Sequence, residues 1–340
     1  SCKEQVQAFI GGGLGARALI DLNAYYVLAL NDRASVTVVD PLFGFGGSKL
    51  LAMVQLAKPG EDWALSRDQR RLFVSMPEAN QVAVIDTTTW KLITNLDAGV
   101  RPSRVALQPD ARYLWVGNDA PGTATGKSGV TVIDTVELKI VASIATGAGH
   151  HEIAFTAEDR YAFVTNRAAG TLSIIDIRKL RRVKDLTTGR TPVAIAYSSL
   201  AQAVYVVHQM DGTIVAVDGE KHTIVARMQA RSGLRTLRFA PDGRLGFALN
   251  GPRNLLYILD AARNRIIQTG NVGMNPDQLA FTENLAYVRS RDTEIVYMVP
   301  LETAGKGGPI PAVDFPGGQI PAGKAARTSL ADAIVPAPGG

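Results

Sequence analysis

The hydrophobic pattern of the chain is a series of short apolar runs cut by turn residues. In residues 152–176, EIAFTAEDRYAFVTNRAAGTLSIID, the run Ile153–Phe155 precedes a charged turn at Glu158, Asp159 and Arg160. A second run, Tyr161–Thr165, leads into a turn over Asn166–Gly170, and a third ends in Ile174, Ile175 and Asp176. A fourth, Arg182–Leu186, closes the unit before Gly189. Runs of this length, rich in Val, Ile, Phe and Tyr and bounded by Asn, Asp and Gly, read as antiparallel strands joined by tight turns.

The unit recurs along the chain. The residue ending its third run appears as Asp40, Asp86, Asp134, Asp176, Asp218 and Asp260, with a degenerate seventh copy at Tyr297–Val299. Successive spacings are 46, 48, 42, 42 and 42 residues. A period of this size with four strands per unit signals a radial β-architecture, because one small sheet cannot bury both its faces alone. The runs are apolar on both faces, as sheets stacked around an axis require. The predicted fold is therefore all-β: a β-propeller of four-stranded antiparallel blades, with seven repeats visible and remnants of a possible eighth.

The predicted propeller occupies residues 1–300 and is expected to close through an N-terminal strand, Gln5–Ile10, since closure removes the exposed edges. Residues 301–340 hold six Pro and eight Gly, a composition suited to an irregular segment. Within it, Ala312–Phe315 reads as an outer strand of repeat seven, and Ala333–Pro336 as the opening of an eighth repeat that stops early. Insertions lengthen turns at Leu42–Ser48 and Asp119–Gly129.

Composition narrows the function classes. Of 340 residues 46% are hydrophobic, enough for a core, yet no apolar run approaches the roughly 18 residues of a membrane helix. The formal charge of +5 is dispersed along the sequence, which permits an acidic partner without demanding one. The one basic cluster, Ile177–Lys184, occupies a turn and its flanks and lacks the interleaved aromatics of a nucleic-acid surface, so no nucleic-acid partner is expected. The single cysteine, Cys2, gives no disulfide framework. It reads as a stray thiol, with a lipid-attachment or haem-attachment remnant as the alternative. The chain starts at Ser1, so a removed leader or a fragment is expected and the lack of a signal peptide carries no information.

Two phosphate-binding patterns fail on context. Gly11–Ala16 fits a loose GxGxxA pattern, but no second αβ unit follows. Gly126-Lys127-Ser128 lacks the glycine a phosphate loop needs five residues earlier, where Pro121 stands, and a strand follows it. No zinc-spaced Cys/His cluster and no GxSxG elbow is present.

Candidate chemistry concentrates at one end of the predicted wheel. The turns between strands one and two, and three and four, repeat themselves and occupy one rim. Variable two-to-three turns and blade connections occupy the other, where function usually sits. His150 and His151 fall in the connection before repeat four, and His208 replaces a turn-forming Asn in repeat five. Asp62, Arg104, Glu152, Arg235 and Asp277 directly precede the innermost strands, so they are expected to ring the channel mouth and to suit a polar or anionic ligand. The alternative is that these charges pair with each other around a water-filled channel. His222 lies at the opposite end and reads as structural.

FVTN at 163–166, with WVGN at 115–118, YVVH at 205–208 and FALN at 247–250, resembles the YVTN motif of a class of bacterial and archaeal propeller repeats. GxxPxxVALQPDARYLWVGN and the later VIDTxxxK match the rest of that repeat, and the resemblance covers about residues 17–299. It places the chain beside a superfamily containing the haem d1 domain of cytochrome cd1 nitrite reductase and its biogenesis relatives, quinoprotein dehydrogenase heavy chains, and lactonases. The resemblance implies a periplasmic or secreted location. No surrounding motif carries over a haem-ligand histidine.

The function expected is a non-catalytic binding propeller, monomeric, holding a small molecule, cofactor or partner protein through His150, His151, His208, Arg104, Glu152, Arg235 and Asp277. The alternative is a haem d1-type oxidoreductase or cofactor-maturation protein, with a tetrapyrrole held by one of the histidines. A third reading is a lactone hydrolase, with Glu152 or Asp277 holding a metal.

Overall fold

The computed structural model describes residues 25–40, 49–119, 128–293, 295–310, 313–316 and 334–336. These form seven four-stranded antiparallel sheets, six of them joined strand to strand in chain order. Blade two runs Trp63–Leu65, Arg71–Met76, Gln81–Asp86 and Lys91–Asp97, and blades three to six repeat that order up to Asn271. Second and third strands are buried almost throughout, as in Leu72–Val74 and Val82–Ile85, whereas fourth strands such as Arg181–Thr187 are largely exposed. Blade interiors therefore carry apolar side chains on both faces, and only the outer strand faces water on its edge.

Packing between blades is repetitive. An aromatic on the second strand of one blade meets an aromatic on the first strand of the next. Trp115 packs on Phe155 at 5.7 Å, Tyr205 on Phe239 at 4.9 Å and Phe247 on Phe281 at 5.2 Å between ring centroids. Tilted and edge-to-face geometries at these separations are favourable beyond the area they bury.

Blade one differs from its sequence-based assignment. Its first position is filled by Ile334–Pro336, paired antiparallel with Tyr25–Val27, ahead of Tyr25–Leu30, Ser35–Asp40 and Lys49–Gln55. The segment expected to open an eighth repeat thus completes the first sheet, and seven blades account for every described strand. Strands from the two ends of the chain share one sheet, which satisfies edges that would otherwise remain unpaired. Val313–Pro316 pairs with Ile295–Met298 as the outer strand of blade seven. Gln5–Ile10, Gly11–Ala16, Cys2, Leu42–Ser48 and the middle of the 119–129 insertion lie outside the described residues.

Two kinds of bulge recur. One breaks the pairing of third and fourth strands just before the terminal Asp, as between Val84 and Ile85 or Ile174 and Ile175. The other lies between first and second strands and skips Ser103, Val193, Arg235 and Asp277 in blades three, five, six and seven. A bulge leaves one residue out of the ladder and re-aims its side chain. Here it does so at the channel mouth.

Candidate functional site

A cavity of about 750 Å³ runs along the axis where the first strands converge. Its wall includes Asp62, Arg104, Glu152, Arg235 and Asp277, together with Glu61, Arg238 and apolar groups such as Val193 and Ala196. Asp62 and Glu152 directly precede the short first strands of blades two and four, Arg104 lies within that of blade three, and Arg235 and Asp277 occupy bulges.

On the side of blades two to four the charges form one chain. Arg104 bridges Asp62 Oδ2 at 3.2 Å and Glu152 Oε2 at 3.1 Å. Glu152 Oε1 lies 3.3 Å from His150 Nε2, and Asp119 Oδ2 lies 2.7 Å from His150 Nδ1. Burial opposes the charge on His150, but the two carboxylates outweigh it and push its pKa up to about 10. Both ring nitrogens then donate, which is the imidazolium arrangement. Burial also opposes ionisation of Glu152, yet Arg104 and His150 hold its carboxyl below the ordinary range. For Asp62 burial prevails, so its pKa is raised despite Arg104 and an accepted hydrogen bond from Val105 N. Alternating signs in a half-dry setting are the condition under which such pairs hold together.

Across the channel Asp277 accepts a two-pronged contact from Arg289, Nε to Oδ1 at 3.0 Å and Nη2 to Oδ2 at 2.6 Å. Arg235 donates from Nη1 to the side-chain oxygen of Asn275 at 2.7 Å. A neutral amide holds this guanidinium, so its charge is oriented without being cancelled.

None of the three candidate histidines lines the cavity, and His151 and His208 turn away from it between blades, against the sequence-based expectation. His151 is fully buried, its Nδ1 donating to Thr165 O at 2.8 Å and its Nε2 accepting from Ser128 Oγ at 2.9 Å. His208 is also fully buried, with Nδ1 donating to Thr213 O and Nε2 accepting from Thr188 Oγ1, both at 3.1 Å. Burial lowers the pKa of both rings and keeps them neutral at pH 7. The same register position explains His208. In blade three Asn118 Nδ2 donates to Ala98 O, in blade six Asn250 Nδ2 donates to Arg231 O and Ser232 O, and in blade seven Ser290 Oγ donates to Val272 O. Each ties a second strand to the connection entering its own blade. His208 makes that tie in blade five. His222 stacks edge-on against Tyr161 at 4.3 Å at the other rim.

Among the described residues no group of three or more His, Cys, Asp or Glu side chains is placed to hold a metal ion. Arg238 was overlooked in reading the sequence. Its signal was present: the first strands VALQ, IAFT, IAYS and LAFT carry alanine where LRFA carries Arg238.

These features define a seven-bladed β-propeller. The sequence matches the family described as "Cytochrome D1 heme domain" over residues 46–195. Hydrazine synthase of Kuenenia stuttgartiensis shares the fold with TM-score 0.65 and 16% identity, over 85% of this chain and 98% of that one. A functionally unknown protein from Desulfotomaculum acetoxidans DSM 771 aligns with TM-score 0.68 and 12% identity, over 92% and 98%. No protein of curated function matches. Among the described residues no helix is long and apolar enough to cross a membrane.

Proposed function

We propose that the chain is a non-catalytic binding propeller that takes a small polar ligand into the mouth of its axial channel. The observation that carries this reading is the cavity of about 750 Å³, large enough for a small organic molecule and lined by charged and polar side chains set among apolar groups. The rigid blades supply the preorganisation that keeps the cost of binding low. An extracytoplasmic location belongs to the same reading and rests on the family likeness.

A tetrapyrrole ligated by a histidine of this chain fits the site poorly. His151 and His208 are sealed between blades with both ring nitrogens bonded, and His150 donates to carboxylates from both of its own. A metal-dependent lactonase reading meets a similar obstacle, because Glu152 and Asp277 already face cations.

The test is a thermal-shift survey of small organic acids, amines and neutral polyols, repeated on Ala196→Trp. Ala196 lines the cavity at a position where blade six accommodates an arginine, so an indole there can point into the channel. At least one ligand should raise the wild-type melting temperature and lose that effect in the plugged variant. A survey in which no stabilising ligand is displaced by the plug contradicts the reading.

A further inference from the structure

The two-to-three turns and blade connections of blades four to six form one continuous arc of the channel-side rim. Arg167 Nη2 donates to Gln209 Oε1 at 3.2 Å, and Gln209 N donates to Thr191 O at 3.1 Å. Gly170 lies against Gly189 and Arg190, Gly212 against Arg231, and Gly233 against Pro252. Arg167, Arg190, Arg231 and Arg253 therefore follow one another across three blades, and all four are exposed. Among the described residues none of them pairs with a carboxylate; Arg167 meets the neutral amide of Gln209. The acidic side chain of the arc, Asp211, turns back on its own loop, where Oδ1 accepts from Thr213 N at 2.9 Å.

Blades one to three carry no such bias. On their side of the rim the exposed cations Arg33, Lys58 and Arg101 are matched by the exposed carboxylates Asp32, Glu78 and Asp97. The positive arc also exposes apolar surface. Met210 and Met274 are 63% and 56% exposed, and Ala168 and Ala169 follow Arg167 at the surface. Met274 joins the arc through its neighbour Asn275, whose N donates to Asn254 Oδ1 beside Arg253. Among the described residues no aromatic stands with these exposed apolar side chains. Arginine and methionine are enriched in protein–protein interfaces, whereas a surface for single-stranded nucleic acid interleaves its cations with aromatic rings.

We propose that this arc is a docking surface for a protein partner and recognises an acidic segment with apolar side chains set between its carboxylates. Guanidinium groups match carboxylates in a paired, planar geometry. One exposed ion pair contributes little by itself, so several arginines must be engaged together while the methionines lose contact with water. The attraction between opposite charges speeds association and is weakened by salt. This surface lies on the rim outside the channel, so the proposal goes beyond the small-ligand reading and does not depend on it.

The experiment is fluorescence anisotropy of a labelled peptide, four repeats of Glu-Glu-Leu, titrated with the full chain. The wild type should bind it, and raising salt from about 0.05 M to about 0.5 M should weaken binding about tenfold or more. A peptide of Glu-Glu-Ser repeats should bind about threefold or more weakly. The double variant Arg190→Glu/Arg231→Glu alters two exposed, unpaired side chains and should weaken the leucine peptide about tenfold or more. Arg33→Glu/Lys58→Glu makes the same change in net charge on the balanced side and should stay within about twofold of the wild type. Ala196→Trp should bind the peptide as the wild type does. Four results overturn the proposal: a wild type that ignores the peptide, unchanged affinity in Arg190→Glu/Arg231→Glu, equal losses in the two double variants, or a serine peptide or short DNA duplex bound as tightly as the leucine peptide. Loss of the peptide in Ala196→Trp overturns it too, by moving the site into the channel. If no small ligand is displaced by that plug while the peptide is lost only in Arg190→Glu/Arg231→Glu, the channel reading falls and the docking surface stands.

Discussion

The two rims of this wheel are built from the same repeat and have diverged to different degrees. At one rim the same Asp closes the same turn in blade after blade. Asp86 Oδ1 accepts from Thr88 N and Thr89 N at 2.8 Å, Asp134 Oδ1 from Val136 N and Glu137 N, and Asp218 Oδ1 from Glu220 N and Lys221 N. At the other rim, equivalent positions before or within the first strands hold Asp62, Arg104, Glu152, Ala194, Thr236 and Gln278. Where a position solves a problem every blade shares, the residue repeats. Where it faces the channel, each blade is free to differ, and the differences add up to a charged, asymmetric mouth.

That contrast can be broken most forcibly where a mouth-side residue is structural after all. His151→Ala removes two hydrogen bonds from a fully buried ring and leaves a void. It should cost about 3 kcal/mol or more in a urea-denaturation experiment. A negligible loss would mean that His151 is not a strut between blades three and four.

His150→Gln should cost about 2 kcal/mol, because Asp119 and Glu152 lose the cation between them. The pH dependence has a definite sign. The folded-state pKa of His150 is raised from 6.5 to about 10, so its contribution is fully present below the unfolded pKa and is lost as pH rises through the folded one. Wild-type stability should fall between pH 7 and pH 10, and the glutamine variant should show a flatter profile over that range. Parallel profiles would remove the imidazolium from the chain of ion pairs.

At the repeating rim, Asp218→Ala should cost about 1 kcal/mol through the lost turn bonds to Glu220 N and Lys221 N, with no change in ligand binding. Altered binding would show that the rims are coupled. Smallest of all, His208→Asn should change stability by less than about 1 kcal/mol, since asparagine makes the equivalent tie in blades three and six. His208→Ala, which removes the tie, should be worse than His208→Asn in the same denaturation assay.

The wheel was legible in the sequence because its defining signals are local and repeated: a strand-length apolar run, a turn residue, a fixed period. The ring of Asp62, Arg104, Glu152, Arg235 and Asp277 around the channel was also legible, since each residue sits at a fixed offset from a first strand. What could not be read was side-chain direction. His151 and His208 share the rim with His150, but only coordinates reveal that two of the rings turn between blades. The skipped residue that re-aims Arg235 and Asp277 leaves no mark in composition, because Ser103 and Val193 occupy the same bulge in neighbouring blades. Closure through Ile334–Pro336 was missed for a different reason: three apolar residues at the end of a repeat series look the same whether they open a new blade or complete the first.

The central claim is that residues matching the repeat hold the wheel while the channel they enclose takes a small polar ligand. Thermal melting of the wild type and of Ala196→Trp, each with and without the surveyed organic acids, amines and polyols, tests this directly. The account predicts at least one compound that raises the wild-type melting temperature and has no effect on Ala196→Trp. A survey in which every stabilising compound stabilises both proteins equally would contradict it.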